Sequence, residues 1–233
     1  MNREIVLSNT NQLSTKHHAS NAEKDTDNRM FWRMNQRRLE VESIRDTLLA
    51  LAGNLDLTMG GRVNQYNPGR GDRDRFVFSE GATWFRLKDE LYIAPRRSVY
   101  LPVVRNALFP VFSVFDYADA SASIGNRSST VLPTQALLMM NNSFVVEQAE
   151  GFARELLKDS SISTNHLIET AFIRAYGRVP NRTETLDAKR FLKAMREQAS
   201  SQTSENDLIP IDEFAWSKLT QVMLSANEFI YID

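Results

Sequence analysis

A mainly α, single helical domain with a long irregular insertion is the fold class the sequence predicts. Three observations point to it. Over residues 34–54 and just beyond, Val41, Ile44, Leu48, Leu51 and Leu55 recur at steps of three and four, the stripe of a helix lying on a core. From Pro133 onward, apolar-periodic segments follow one another to the end of the chain. Between these, residues 57–132 place Gly60, Gly61, Pro68, Gly69 and Gly71 among Arg, Asn and Asp without a sustained period.

The elements follow in order. Residues 11–28 are polar and read as a loop or frayed helix, with Asp25-Thr26-Asp27-Asn28 offering capping side chains for what comes next. The 34–54 helix keeps Arg37, Arg38, Glu42, Arg45 and Asp46 off its stripe, and Gly53 suits its C-terminal end. Within the insertion, Phe76-Val77-Phe78 and Leu91-Tyr92-Ile93 predict short strands, and residues 97–104 a third short strand or extended segment limited by Pro102. Residues 107–132 read as irregular.

Pro133 opens a helix at its first turn. Leu137, Met140, Phe144 and Gln148 are assigned to one face, with a break or cap at Asn141-Asn142-Ser143. Ser143 with Glu147 resembles a loose cap for a second helix ending near Leu157. Residues 164–176 form a helix closed by Gly177, with Pro180 just beyond. Residues 183–199 repeat the pattern through Leu186, Phe191, Leu192 and Met195. A polar linker, Ser200 to Asn206, leads to a last helix at about 212–227, whose pattern is carried by Phe214, Trp216, Leu219, Met223 and Phe229. Trp32 and Trp216 are read as core residues of helical segments.

Composition narrows the function classes. The 233 residues are 42% hydrophobic, enough for a real core, and carry a net charge of -1, unlike a general nucleic-acid binder. No stretch approaches the roughly eighteen apolar residues of a membrane span, and the N-terminus lacks the apolar run of a signal peptide. With no cysteine, disulfides, thiolate zinc sites, iron–sulfur clusters, c-type haem attachment and a cysteine nucleophile are excluded for this chain.

Several residues carry candidate chemistry. Arg96, Arg97 and Arg105 bracket apolar residues in Arg96-Arg97-Ser98-Val99-Tyr100-Leu101-Pro102-Val103-Val104-Arg105. One reading pairs them with Asp46, Asp116 or Asp119, locking the insertion onto the helices. Another makes them an anion site for a sulfated or carboxylated sugar, which bidentate arginines suit. A third is an interface with a neighbouring domain. Asp116 and Asp119 flank Tyr117 and form a candidate acid pair for glycoside chemistry, though such pairs are common in loops. Trp84, in Gly81-Ala82-Thr83-Trp84-Phe85-Arg86, either packs inward or stacks on a sugar or partner. The glycines of Asp56-Leu57-Thr58-Met59-Gly60-Gly61 follow a helix, whereas anion cradles precede one, so a helix-terminating turn is expected there. Adjacent His17 and His18 point about 100° apart on a helix and cannot clamp one metal. His166 stands at a helix start, and no G-x-S-x-G elbow surrounds any serine.

Asn28-x-x-x-Trp32-Arg33-Met34-Asn35-x-Arg37-Arg38-Leu39, Asp56-Leu57-Thr58-Met59-Gly60-Gly61, Arg96-Arg97-Ser98-Val99-Tyr100, Pro133-Thr134-Gln135-Ala136-Leu137 and Ser225-Ala226-Asn227-Glu228-Phe229 occur in one order. Together they resemble the C-terminal PSD-type domain, of unknown function, of planctomycete cytochrome-c-like surface proteins, over about Ile5 to Asp233. The resemblance implies one PSD-type domain over 1–233 lacking its N-terminal part, with 57–132 as an irregular middle segment and 133–233 as C-terminal helices. It implies no cofactor in this chain, and haem in upstream domains absent here. The expected partners are those upstream domains or surface polysaccharide machinery, with no nucleic acid and no membrane span. The location implied is periplasmic or cell-surface. The expected function is a non-catalytic interaction or scaffold module. The alternative is a carbohydrate-active hydrolytic or anionic-glycan-binding domain, with Asp116 and Asp119 as acids and Arg96, Arg97, Arg105 and Trp84 as binding residues. Catalysis itself is left open.

Overall fold

A computed structural model describes residues 2–60, 94–101, 108–118, 122–159, 161–202 and 210–232. The protein is mainly α, as expected. The predicted strands at 76–78 and 91–93 lie outside the described residues. Contacts divide the chain into two compact units, Met1–Leu39 with Asn227–Asp233, and Glu40–Ala226.

The first unit holds short helices Asn2–Val6, Ala19–Lys24 and Asn227–Ile230. Arg37–Arg38 pairs antiparallel with Tyr231–Ile232, and Leu39 N–H extends the pairing to Ile230 O at 2.8 Å. The helix expected from residue 34 therefore begins only at Val41. Backbone pairing with the chain's own C-terminus claims the donors of 37–39, and that long-range contact overrides local propensity. Trp32 also departs from expectation. It sits in a loop, half-buried, with its indole N–H donating to Asp25 O at 2.9 Å and the Arg33 guanidinium 5.1 Å from its ring centroid. The Asp25 carboxylate caps a turn rather than a helix, accepting from the N–H groups of Arg29 and Met30.

In the second unit the Ser143–Leu157 helix is central. It packs against Val41–Leu51, Pro133–Asn141, Thr164–Tyr176 and Ile211–Leu224, and the last of these also packs on Arg182–Gln202. Phe152, Val145, Ile44, Leu48, Ile168, Leu192, Trp216 and Leu224 are buried together in this unit. Two close approaches hold the layers. Thr220 donates its hydroxyl to Ala149 O at 2.8 Å across the helix pair. Gly151 faces the end of the Val41–Leu51 helix, where an added Cβ would lie 2.7 Å from the Ala52 Cβ.

Local terminators act as expected at Gly53 and Gly177, whose φ of +73° and +72° are left-handed. Three local expectations are corrected. Asn142, not Ser143, caps the Ser143–Leu157 helix, because its side chain reaches Phe144 N–H at 3.0 Å. Pro110–Val114 is a helical turn inside the segment read as irregular, opened by proline at its first position and anchored by buried Phe109, Val111 and Phe112. Leu137 and Met140 do not share the buried face of Phe144 and Gln148. Gln135 and Met139 turn inward instead, Gln135 because its amide bonds Val114 O and Thr130 O.

The start of the Arg182–Gln202 helix makes a pH-sensitive contact. Asn181 Oδ1 accepts from Glu184 N–H, and Glu184 returns the bond to Asn181 N–H. Arg178 grips the same carboxylate at 2.7 and 2.8 Å. The Arg178 hydrogen bonds are the main cause holding Glu184 below its ordinary 4.5, with the Asn181 N–H assisting. A carboxylate depressed on folding stabilises above its unfolded pKa and loses that contribution as pH falls through the folded value. In Glu184→Gln, urea unfolding is expected to show a stability loss of about 0.5–1 kcal/mol at neutral pH, shrinking as pH drops below the ordinary glutamate range. An unchanged acid profile would count against this role.

Candidate functional site

The centre of the second unit is built on Arg45. The Val41–Leu51 helix buries Val41, Ile44, Arg45 and Leu48 on one face, so Arg45 belongs to the stripe from which the sequence reading excluded it. It is 0% exposed. A buried guanidinium requires acceptors, and the Ala94–Ser98 segment supplies them. Nη1 donates to Arg96 O at 2.9 Å, Ser98 Oγ at 3.2 Å and Asp46 Oδ1 at 3.3 Å, and Nη2 donates to Ala94 O. Burial pushes Arg45 down to about 10, against the opposing pull of Asp46, so the side chain is charged at neutral pH.

Asp46 completes the node by accepting from Ser98 N–H at 2.8 and 3.1 Å and from Ser98 Oγ at 2.6 Å. These bonds fold Ser98–Tyr100 into a short 3₁₀ turn at the start of the segment read as a strand or extended stretch over 97–104, of which 102–104 lie outside the described residues. The turn is tertiary in origin, since its carboxylate anchor lies 52 positions away in the chain.

The predicted site residues fall around this node. Arg96 Nη2 donates to Gly60 O at 2.5 Å and Thr58 O at 3.3 Å, and its guanidinium lies 4.2 Å from the Tyr100 ring centroid. Arg97 leans on the same ring at 5.4 Å and donates to Tyr100 Oη at 3.5 Å, while its buried Nε has no hydrogen-bond partner among the described residues. Tyr100 Oη also accepts from Gly60 N–H at 2.9 Å. That bond, followed by the charges of Arg97 and Arg96, lowers the phenol pKa. The Asp56–Gly60 turn is thus tied down by Arg96 and Tyr100. Asp116, at φ +55°, accepts from Thr130 N–H at 2.8 Å and from its hydroxyl at 2.8 and 2.9 Å. Arg105, Trp84 and Asp119 lie outside the described residues. His17 meets the edge of Trp32, and His166 N–H donates to Ser163 Oγ at 3.4 Å. Among the described residues no group of three metal-ligating side chains forms, and no helix is long and apolar enough to cross a membrane.

Beside the node opens a cleft of about 860 Å³. Ser43, Asp46, Thr47 and Ala50 line one wall, and Val99, Leu101 and Tyr117 line another, with Arg174 among the remaining residues. Arg127 grips Glu42 with two bonds of 2.8 Å and lies 3.6 Å from Glu40. The Glu42 bonds are the first cause of a raised Arg127 pKa, and partial burial raises that of Tyr117. Tyr117 stacks on Phe112 at 4.9 Å, 9° from parallel. Arg174 donates to Leu51 O at 3.1 Å. Sequence reasoning missed Arg45, Glu42, Arg127, Thr47 and Arg174. For Arg45 the signal was its own helical spacing. For Arg127, 85 positions from Glu42, no local signal exists.

A family model described as PSD1, protein of unknown function (DUF1553), matches residues 1–192. No curated protein and no solved structure matches the chain.

Proposed function

Since the chain belongs to the PSD1 family of proteins of unknown function, we propose that it is a non-catalytic interaction module of a multidomain exported protein. The observation that carries this reading is an uncharged apolar strip. Val131 is 77% exposed, Leu137 57% and Met140 53%, on and just before the Pro133–Asn141 helix, which has no charged residue. Apolar strips of this kind mark protein–protein contacts. The charged residues of the centre support the same reading, because Arg45, Asp46, Arg96 and Asp116 hold the protein's own backbone. The proposed partners are upstream domains of the same architecture, or surface polysaccharide machinery at a periplasmic or cell-surface location. Haem belongs to the upstream domains in this proposal, and this chain binds no cofactor.

The test mixes this chain with the separately purified upstream domains of a full-length family member and measures binding by calorimetry. Wild-type chain is expected to bind, and Leu137→Asp with Met140→Asp to weaken binding at least about tenfold, some 1.4 kcal/mol. Circular dichroism of the variant is expected to match wild type. Absence of binding by the wild-type chain would sink the upstream-domain proposal. One observation favours a second reading, an anionic-glycan site: the Arg97 guanidinium is bonded, among the described residues, only to Tyr100 Oη.

A further inference from the structure

We propose that the cleft along the Val41–Leu51 helix binds a neutral saccharide. This goes beyond the interaction reading and uses a different surface from the Val131–Met140 strip. Charge is the first argument. Each acid at the cleft faces a guanidinium: Glu40 and Glu42 meet Arg127, and Asp46 meets Arg45. Arg174 is held on Leu51 O. A cleft balanced in this way recruits neither a cation nor an anion, which sets it apart from Arg96 and Arg97.

Hydrogen-bonding capacity is the second argument. Ser43, Thr47 and Tyr117 line the cleft, and their hydroxyls make no hydrogen bond to any described residue. Each hydroxyl both donates and accepts. Glu42, whose carboxylate accepts two bonds from Arg127, holds further acceptor lone pairs, because a carboxylate offers about four such positions. Val99, Leu101, Leu51 and Leu55 supply an apolar wall. A pyranose matches this mixture, since its C–H face is apolar and its rim carries hydroxyls that donate and accept. The volume suits a ligand of a few rings, within the roughly 300–1,000 Å³ of small-molecule sites.

The experiment titrates the full chain with maltotriose, cellotriose and mannotriose by calorimetry, with saturation-transfer NMR as a second readout. A sulfated disaccharide is the comparison. At least one neutral trisaccharide is expected to bind with an affinity unchanged between low and high salt, because no net charge attracts it. Thr47→Val and Tyr117→Phe are each expected to weaken binding about fivefold, the loss of one hydrogen bond. Melting curves establish that both variants fold, and Ser43→Ala, at an exposed position, serves as a third variant. The proposal is overturned if no neutral trisaccharide binds, if all three variants bind as wild type does, or if the sulfated sugar is preferred.

Discussion

Arg45→Met is expected to destabilise the second unit by about 3–5 kcal/mol, measured as a fall in the urea midpoint with an unchanged slope. Methionine approximates the volume, so the loss is electrostatic and not a cavity. Removing the guanidinium leaves Ala94 O and Arg96 O without their donor and the Asp46 carboxylate beside an apolar group. Breaking one partner of a buried polar network costs far more than replacing the whole network by apolar residues. Lysine cannot reproduce the fork that spans these acceptors, so Arg45→Lys is expected to recover only part of the loss. Burial lowers the Arg45 pKa on folding to about 10, so below pH 10 it is charged in both states. The cost of the substitution is therefore expected to stay level from mildly acid to mildly alkaline solution. A loss under about 1 kcal/mol would show that the node is not a structural keystone.

Trp216→Ala carries the second large effect. The side chain is 1% exposed, the largest of the fully buried ones, on a helix packed between two others. Truncation removes its transfer free energy and leaves a cavity that rigid helices close only in part, about 3–5 kcal/mol together. Trp32→Ala provides the contrast. That ring is half-buried in a loop, and its loss removes one hydrogen bond and limited packing, roughly 1–2 kcal/mol. Denaturant curves for the two variants read the difference directly. Equal losses would mean that burial does not rank the two sites.

The two tryptophans also show how far local pattern reaches. Both were read as core residues of helical segments. Trp216 obeys that reading because Leu219 and Met223 continue its stripe. The Trp32 environment was not legible, since it depends on Asp25 O and on the His17 ring, brought to it by the loop. The same division runs through the candidate site. Arg96 and Arg97 stood out as a charged pair, yet their surroundings come from Thr58, Gly60 and Tyr100. Arg45, the most buried cation, was set aside because charge was taken to mean solvent, although its spacing from Val41 and Leu48 placed it inward. Leu137 and Met140 share a face with Phe144 in the sequence reading but not in the structure, because hydrophobicity does not say which face of a short, uncharged helix is covered.

By itself the sequence determined the mainly α class, the helices from Pro133 onward, the helix ends at Gly53 and Gly177, and the absence of cysteine chemistry. These depend on periodicity, backbone freedom and residue type, which act over one or two turns. Only the tertiary structure decided the start of the Val41–Leu51 helix, the 3₁₀ turn at Ser98, the burial of Arg45, the exposure of Leu137 and the cleft with its Glu42–Arg127 pair. Each of these is set by which distant positions meet, and the energy of such contacts exists only once folding has brought the partners together.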